Sequence, residues 1–383
     1  MLLNKQTIGI DAINIRQGGG ITHLKEILAR ADPDEDNFQR VVIWGGKKLL
    51  SSLEDKEWLI KEEINAKNFF SRTFWQIFKL SKALKKKKCD LLFVPGGSFT
   101  TKFKPTVILN NNLLPFELKE SLWYGFSVIT LKYLLLSLSQ KSSFKRSDGI
   151  IFLSNYAKRI VQNKINHRNT VVINHGINER FFFKRKIKEF RQEDEIRIIN
   201  VSAIEPYKDQ KKIVKAIDIL NKEGFKLKLF IYGDGHPPTK KKLIKYINKC
   251  DETKNTFFLE GSINYLKLEE VYKKADIKIF TSHCESFGQT LTESMASSLP
   301  ILSSDKGPMR ELLGEENGIF FDLNNVDALV DSLKKIIKSF ELRDSLSTKA
   351  YNMSKNYSWE KTTRETFSFF RSVYENHERY FQK

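Results

Sequence analysis

Two glutamates with seven residues between them surround a glycine turn in the stretch HCESFGQTLTESMASS, residues 283–298. The apolar run before them predicts a buried strand, and the LTESMASSLP segment predicts a helix. The N–H groups of Gly288, Gln289 and Thr290 would then begin that helix and favour a phosphate or a hydroxyl-rich ligand. Because a carboxylate accepts hydrogen bonds from paired sugar hydroxyls, Glu285 and Glu293 could hold the two ends of a nucleotide sugar. Two unrelated surface glutamates are the alternative.

Two other segments place anion-binding chemistry just after a predicted strand. In NVSAIEPYKDQ (200–210), Lys208 precedes a helix and can reach an anionic group. Near the N-terminus, Gly18, Gly19 and Gly20 precede a helix, where glycines let the backbone approach a phosphate or a sugar. Taken singly, a surface lysine and a flexible glycine loop explain these two segments equally well.

No metal site is predicted. The three cysteines, Cys89, Cys250 and Cys284, lack the paired spacing of metal ligands. Their sparse use is typical of a reducing compartment, which predicts a cytoplasmic protein. The sequence Asp32-Pro33-Asp34 is formally Asp-x-Asp, but the surrounding DPDEDN predicts a solvated turn.

Short apolar runs alternate with amphipathic helical patterns along the 383 residues, which predicts α/β architecture with parallel sheets covered on both sides. The charged stretch 181–195 separates two sets of strands and predicts a linker between an N-terminal domain, 1–183, and a C-terminal domain, 184–383. The last helix, about 359–381, is expected to pack back on the first domain. The predicted strands are 7–12, 41–44, 91–94, 106–109, 149–153 and 171–173, then 196–202, 228–233, 256–261, 277–282, 300–304 and 318–322.

The formal charge of +19 favours polyanionic partners such as nucleotide phosphates, acidic lipid headgroups or nucleic acid, although lysine-rich helix faces explain it too. Compact nucleic-acid motifs are missing from the sequence, so nucleic acid is not a predicted partner. Residues 122–139 are largely apolar but carry Lys132, and they fall short of a membrane span. They predict a helix buried within a domain; a helix lying on the bilayer surface is the alternative.

The ordered set of segments resembles the retaining GT-B glycosyltransferases of family 4 nearly end to end. GGGITHLKEIL is similar to that family's glycine loop and first helix, and VSAIEPYKD to its Gly-Arg-Leu-x-x-x-Lys-Gly region. HCESFGQTLTESMASSLPILSS matches its Glu-x7-Glu motif. The other matching segments are ILNNNLLPFE (108–117), SDGIIFLSNYAKRIV (147–161), VVINHGINERFF (171–182) and KGPMRELLGEENGIFFD (306–322).

The resemblance implies a GT-B fold, with two Rossmann-like doubly wound domains facing a central cleft, and a role for each matching position. Glu285 would contact the donor sugar and Asn111 would lie at the second catalytic position. Glu293 would bind the nucleotide ribose and Lys208 the diphosphate. The implied residues beside phosphate and sugar are Gly288, Gln289, Thr290, Gly19 and Gly20.

The sequence departs from the family pattern at three positions. Ala203 and Ser202 occupy the region where the family carries an arginine, so the diphosphate would rest more on Lys208, helix amides or a basic residue elsewhere. Asn111 replaces the family's histidine, and asparagine does not titrate. Ser286 replaces the glycine before Phe287.

The resulting hypothesis is a metal-independent hexosyltransferase that moves a sugar from a nucleotide-diphosphate sugar to a hydroxyl of a saccharide or lipid-linked saccharide. Its expected setting is polysaccharide, O-antigen lipopolysaccharide or glycolipid synthesis, at the cytoplasmic face of the inner membrane. Two alternatives stay open: a GT-B sugar-nucleotide epimerase, which Asn111 disfavours, and a polyanion- or nucleotide-binding protein without transferase activity.

Overall fold

The computed structural model describes residues 5–16, 18–66, 68–251 and 254–381 and divides into two compact units. The first unit combines residues 1–118, 128–176 and 358–383, and the second combines 119–127 and 177–357. The chain therefore leaves the first unit for residues 119–127, leaves it again after residue 176 and returns at residue 358, whereas the sequence predicts one boundary at residue 184. The charged stretch 181–195 lies within the second unit.

A parallel seven-stranded sheet organises the first unit, in the order β3-β2-β1-β4-β5-β6-β7. Strands β1, β2, β4, β5 and β6 are almost entirely buried, as expected for strands covered by helices on both faces. The strands are β1 (Gln6–Asp11), β2 (Phe38–Gly45), β3 (Leu59–Glu63), β4 (Leu91–Val94), β5 (Thr106–Asn110), β6 (Gly149–Phe152) and β7 (Thr170–Val172).

The helices of the first unit include one from the far end of the chain. That helix, α15, packs along α1, and its Phe367 and Phe370 rings lie 4.9 Å from those of Phe38 and Phe93. The helices are α1 (Gly19–Arg30), α2 (Lys47–Leu50), α3 (Phe69–Phe78), α4 (Leu80–Lys86), α6 (Val128–Arg146), α7 (Asn155–Ile165) and α15 (Trp359–Phe381), with α5 (Leu118–Ser121) where the chain first leaves the unit.

The second unit is built on a parallel six-stranded sheet in the order β10-β9-β8-β11-β12-β13. Its strands are β8 (Ile196–Val201), β9 (Leu227–Tyr232), β10 (Phe257–Gly261), β11 (Ile277–Phe280), β12 (Ile301–Ser304) and β13 (Ile319–Phe321). Its helices are α8 (Gln210–Lys222), α9 (Pro237–Cys250), α10 (Leu268–Lys274), α11 (Gln289–Ala296), α12 (Met309–Leu313), α13 (Val326–Lys338) and α14 (Phe340–Ser354).

Each sheet reverses its strand order at one point, which confirms the prediction of two doubly wound Rossmann-like domains. In the first unit the reversal lies between β1 and β4, and in the second it lies between β8 and β11. The crevice at the carboxyl ends of such a strand pair is where open α/β sheets bind ligands. Lys208 follows β8 and Glu285 follows β11, so the topology brings these two predicted residues to the same crevice.

Each strand predicted from sequence is present within one or two residues of its predicted ends, except that β2 begins three residues earlier than predicted, and β3 is an additional strand. The sequence of β3, LIKEE, has a charged end and no sustained apolar run. It pairs only with β2, at the edge of the sheet, where polar side chains are tolerated. A pattern search for buried strands therefore misses it.

The prediction that residues 122–139 form a helix buried within a domain is wrong. A 3-10 helix, Leu122–Tyr124, precedes Gly125, and α6 begins at Val128. The polar residues Thr130, Ser137, Gln140 and Ser143 of α6 are buried. Its exposed large apolar residues are Val128, Leu131, Leu134, Leu135 and Leu138. Within the described ranges, neither α6 nor any other helix is long and apolar enough to cross a membrane.

Candidate donor-sugar site

Lys208 and Glu285 form an ion pair at the switch point of the second sheet. Their side chains are only 12% and 17% exposed, and the Lys208 ammonium donates to the Glu285 carboxylate. Two further bonds tie the loops that carry them: Thr281 Oγ1 donates to the Lys208 carbonyl at 2.7 Å, and His283 N donates to the Tyr207 carbonyl at 2.9 Å. The result is a fixed cation beside a fixed hydrogen-bond acceptor.

The predicted amide cradle lies where α11 begins. Gly288 precedes the helix with φ +135°, a conformation that side chains rarely adopt, and a Cβ there would lie 3.1 Å from Met309 Cε. Gln289 and Thr290 are the first two helical residues, and Thr290 Oγ1 donates to the Val201 carbonyl at 3.0 Å. This bond holds the positive end of the α11 dipole over the end of β8, in the crevice that receives Lys208.

Glu293 is buried in the second unit and is not a surface glutamate. It is 1% exposed, and the hydroxyls of Tyr265 and Tyr272 donate to its two carboxylate oxygens at 3.1 Å each. Burial raises the pKa of Glu293 to about 7, against the opposing effect of the two tyrosine hydrogen bonds. A carboxylate offers about four acceptor positions, so the two tyrosine hydroxyls occupy only part of the acceptor capacity of Glu293.

Sequence reasoning missed several residues that border this site. Arg180 stacks 4.1 Å from the centroid of the Tyr265 ring. The Trp123 ring lies 4.3 Å from that of His283, two residues before Glu285, and Tyr124 Oη donates to Glu205 at 2.7 Å. These residues come from separate stretches of the chain, so no local spacing signals them.

Two of the sites predicted in the first half of the chain adjoin each other within the first unit. Gly19 and Gly20 begin α1, and Asn111 follows β5. A Cβ placed on Gly20 would lie 3.1 Å from Asn111 Nδ2, whereas one on Gly19 would face open space.

Asp32-Pro33-Asp34 forms a turn in which Asp32 Oδ1 accepts from the N–H groups of Asp34 and Glu35, at 2.8 and 3.1 Å.

Residues 181–353 match the family model for glycosyl transferases group 1. An uncharacterized glycosyltransferase of Haemophilus influenzae is 25% identical over 94% of this chain and 98% of the relative. A second, from Methanocaldococcus jannaschii, is 28% identical over 58% of each chain. The chain thus spans little more than half of one curated relative and nearly all of the other.

Solved structures extend the comparison to the whole fold. A structure of Anabaena HepE in complex with UDP and glucose superposes with a TM-score of 0.72, at 17% identity, over 96% of this chain and 100% of that one. WaaG, a glycosyltransferase involved in lipopolysaccharide biosynthesis, superposes with a TM-score of 0.71, at 14% identity, over 94% and 99%. The chain therefore has the GT-B fold, with two Rossmann-like domains, that these glycosyltransferase structures share. The group 1 match contains both Lys208 and the Glu-x7-Glu segment.

Proposed function

We propose that this protein is a retaining hexosyltransferase that uses a nucleoside-diphosphate sugar and a hydroxyl acceptor, without a metal cofactor. The observation that carries the proposal is the Lys208–Glu285 pair at the switch point, beside the first turn of α11. Lys208 and the helix dipole supply positive charge for a diphosphate, and Glu285 supplies an acceptor for sugar hydroxyls. The UDP and glucose bound to Anabaena HepE are ligands of these two classes.

In the proposed reaction, the bond between the anomeric carbon and the diphosphate oxygen breaks while the acceptor oxygen bonds to the same face of that carbon. The acceptor proton passes to the departing phosphate oxygen, so charge and atoms balance. The protein contributes by positioning both substrates and by stabilising the negative charge that develops on the leaving diphosphate. Lys208 is the residue placed for that stabilisation, and Gly19, Gly20 and Asn111 are proposed to face the acceptor.

A thermal-shift screen with UDP, GDP, ADP and CMP tests the donor site. A ligand present at 100 times its Kd stabilises the folded state by about 2.7 kcal/mol, so one nucleoside diphosphate is expected to raise Tm. Lys208→Met is expected to weaken that ligand about tenfold, because one charge-assisted contact is lost. Lys215→Met, at an exposed lysine of α8, is the matched control. No stabilisation of the wild type at millimolar concentrations contradicts the proposal.

We further propose that the acceptor is lipid-linked and that the first unit binds the cytoplasmic face of an anionic membrane. The exposed leucines of α6 and the exposed apolar face of α3 support this. Phe70, Phe74 and Phe78 recur at helical spacing on α3, with exposures of 81%, 54% and 59%. Polar residues are buried on α6 while its leucines face outward, which is the reverse of an ordinary surface helix.

The two helices share one face of the sheet. Helix α3 follows β3 and α6 follows β5, and right-handed crossovers in the direction β3-to-β4 and β5-to-β6 place both on the same side. The loop that carries Phe99 and Thr101 contacts α4, which follows α3, and also α6. Thr101 Oγ1 lies 2.6 Å from Ser81 Oγ of α4, and Phe99 N donates to Ser143 Oγ of α6 at 3.1 Å. Exposed lysines border this apolar face, at Lys79, Lys82, Lys85, Lys86, Lys132 and Lys145. Aromatic insertion combined with basic flanks is typical of proteins bound at anionic bilayers.

Flotation with vesicles measures this binding. The wild type is expected to float with phosphatidylcholine–phosphatidylglycerol vesicles and to bind pure phosphatidylcholine less. The double variant Phe70→Ser/Phe74→Ser is expected to bind at least about tenfold more weakly, because each buried phenylalanine contributes roughly 1.5–3 kcal/mol. Leu266→Ser, at a residue 66% exposed in the second unit, is the control. Equal flotation of the double variant and the control variant contradicts the proposed surface.

A further inference from the structure

A buried lysine that has no hydrogen-bond partner among the described residues lies within electrostatic range of Lys208. Lys278, in the middle of β11, is 0% exposed, and its Nζ has no hydrogen-bond partner among the described residues. Ile277 and Ile279 on the same strand pack into the hydrophobic core of the unit. Because side chains alternate along a strand, Lys278 points to the opposite face of the sheet.

The charges around Lys278 do not neutralise it. Burial lowers its pKa to about 7, the carboxylate of Glu293 raises it, and the ammonium of Lys208 lowers it further. Glu293 is engaged by Tyr265 and Tyr272, and no contact within 4.0 Å joins it to Lys278 among the described residues. Lys208 is itself paired with Glu285. Among the described residues, Lys278 therefore has no hydrogen bond and no ion pair within 4.0 Å, and the more distant Glu293 is the carboxylate that favours its charged form.

Burying an ammonium without a hydrogen-bonded partner lowers the free energy of unfolding, and an apolar side chain of similar volume at this position would make the fold more stable. An anion bound in the switch-point crevice would offset this cost further than Glu293 alone does. Lys278 is paired in register with Ile199 of β8, and the Thr290–Val201 bond places the start of α11 over the end of that strand. The next residues of the chain, Ser202 and Ala203, carry no charge.

We propose that Lys278 supplies the second positive charge that holds the donor diphosphate, acting through space from behind Lys208. The inference rests on the proposed function, since it requires a diphosphate in this crevice. Lys278 is a positioning residue: its buried ammonium does not touch the substrate, but it attracts the diphosphate in a region where solvent screens little. The bound anion in turn favours the protonated lysine, so diphosphate binding draws a proton from solution.

Calorimetric titration of Lys278→Met tests this role. UDP, GDP and ADP are each compared with uridine, guanosine and adenosine, so that the diphosphate contribution is separated from nucleoside binding. The variant is expected to bind the preferred diphosphate at least about tenfold more weakly and the nucleoside unchanged. Its Tm without ligand is expected to stay within a few degrees of the wild type, because removal of a buried charge is opposed by loss of its attraction to Glu293. Lys245→Met, at an exposed lysine of α9, is the control.

A second measurement needs only the wild type. Titrations at pH 7.5 in two buffers of different ionisation enthalpy are expected to show proton uptake on diphosphate binding, and Lys278→Met is expected to lose that uptake. Unchanged diphosphate affinity in Lys278→Met, or an equal loss for nucleoside and diphosphate, overturns the inference while leaving the proposed function intact. If the wild type binds none of the three diphosphates, the proposed function itself fails and the inference fails with it. Lys278→Gln provides the same comparison if the methionine variant does not fold.

Discussion

Replacing Glu285 with glutamine is expected to lower kcat/KM for sugar transfer by about 100-fold or more, the loss typical of removing one preorganised electrostatic contact in an active site. Glutamine keeps the size of the side chain but removes the charge that pairs with Lys208 and weakens acceptance from sugar hydroxyls. The measurement is release of nucleoside diphosphate from the donor identified by thermal shift. Glu270→Gln, at an exposed glutamate of α10, is expected to retain full activity.

Measuring Tm as well as activity for Glu285→Gln separates a catalytic role of Glu285 from a role in folding. The side chains of Lys208 and Glu285 are 12% and 17% exposed, but glutamine can still accept a hydrogen bond from Lys208, so Tm is expected to change by only a few degrees. Activity within threefold of the wild type at saturating donor would remove Glu285 from the proposed mechanism. Loss of activity together with a collapse of Tm would assign it a structural role.

Replacing Gly233 with alanine is expected to destabilise the protein by about 3 kcal/mol or more, since a strained backbone and a backbone collision are combined. Gly233 has φ +142°, and a Cβ there would lie 2.0 Å from the Ser202 carbonyl oxygen. The turn after β9 packs directly on the segment that leads to Lys208: Ser202 N donates to the Tyr232 carbonyl at 3.0 Å, and His236 N to the Ile204 carbonyl at 2.9 Å. A shift of that segment displaces Lys208 as well, so nucleotide affinity is expected to fall with stability.

Gly224→Ala separates the cost of the backbone conformation from the cost of the steric collision. Gly224 also has a positive φ, +98°, but a Cβ there meets nothing within 4 Å. It is expected to cost about 1 kcal/mol, from backbone conformation alone. Urea denaturation of both variants measures the difference, and equal losses would show that the approach of Gly233 to Ser202 has no energetic weight.

The strand pattern was predictable because each buried strand is a short apolar run between helical patterns. The same pattern predicted that Lys208 and Glu285 each follow a strand, but only the structure shows that β8 and β11 are neighbours in the sheet. Tyr265, Tyr272 and Lys278 could not be found this way. Their importance comes from converging on Glu293 and Lys208 in three dimensions, and Lys278 looks in sequence like one polar residue in an apolar strand.

Helix α6 shows a different limit of sequence reasoning. Its hydropathy predicts burial, but hydropathy counts apolar residues without specifying which face meets the sheet. The helix buries Ser137, Gln140 and Ser143 and exposes its leucines. Only the packing of the rest of the first unit determines that orientation.

The return of the chain to the first unit at residue 358 has a consequence for synthesis on the ribosome. The first sheet cannot acquire the aromatic layer of Phe367 and Phe370 until α15 has emerged, after the whole of 177–357. At 5–20 residues per second that wait is roughly 10–40 s. Until then the apolar surfaces of α1 and β2 that α15 covers are open to chaperones or to aggregation, whereas the sheet of the second unit is complete once β13 has emerged. The nascent N-terminal half is therefore the part of this protein most dependent on assistance, although it is made first.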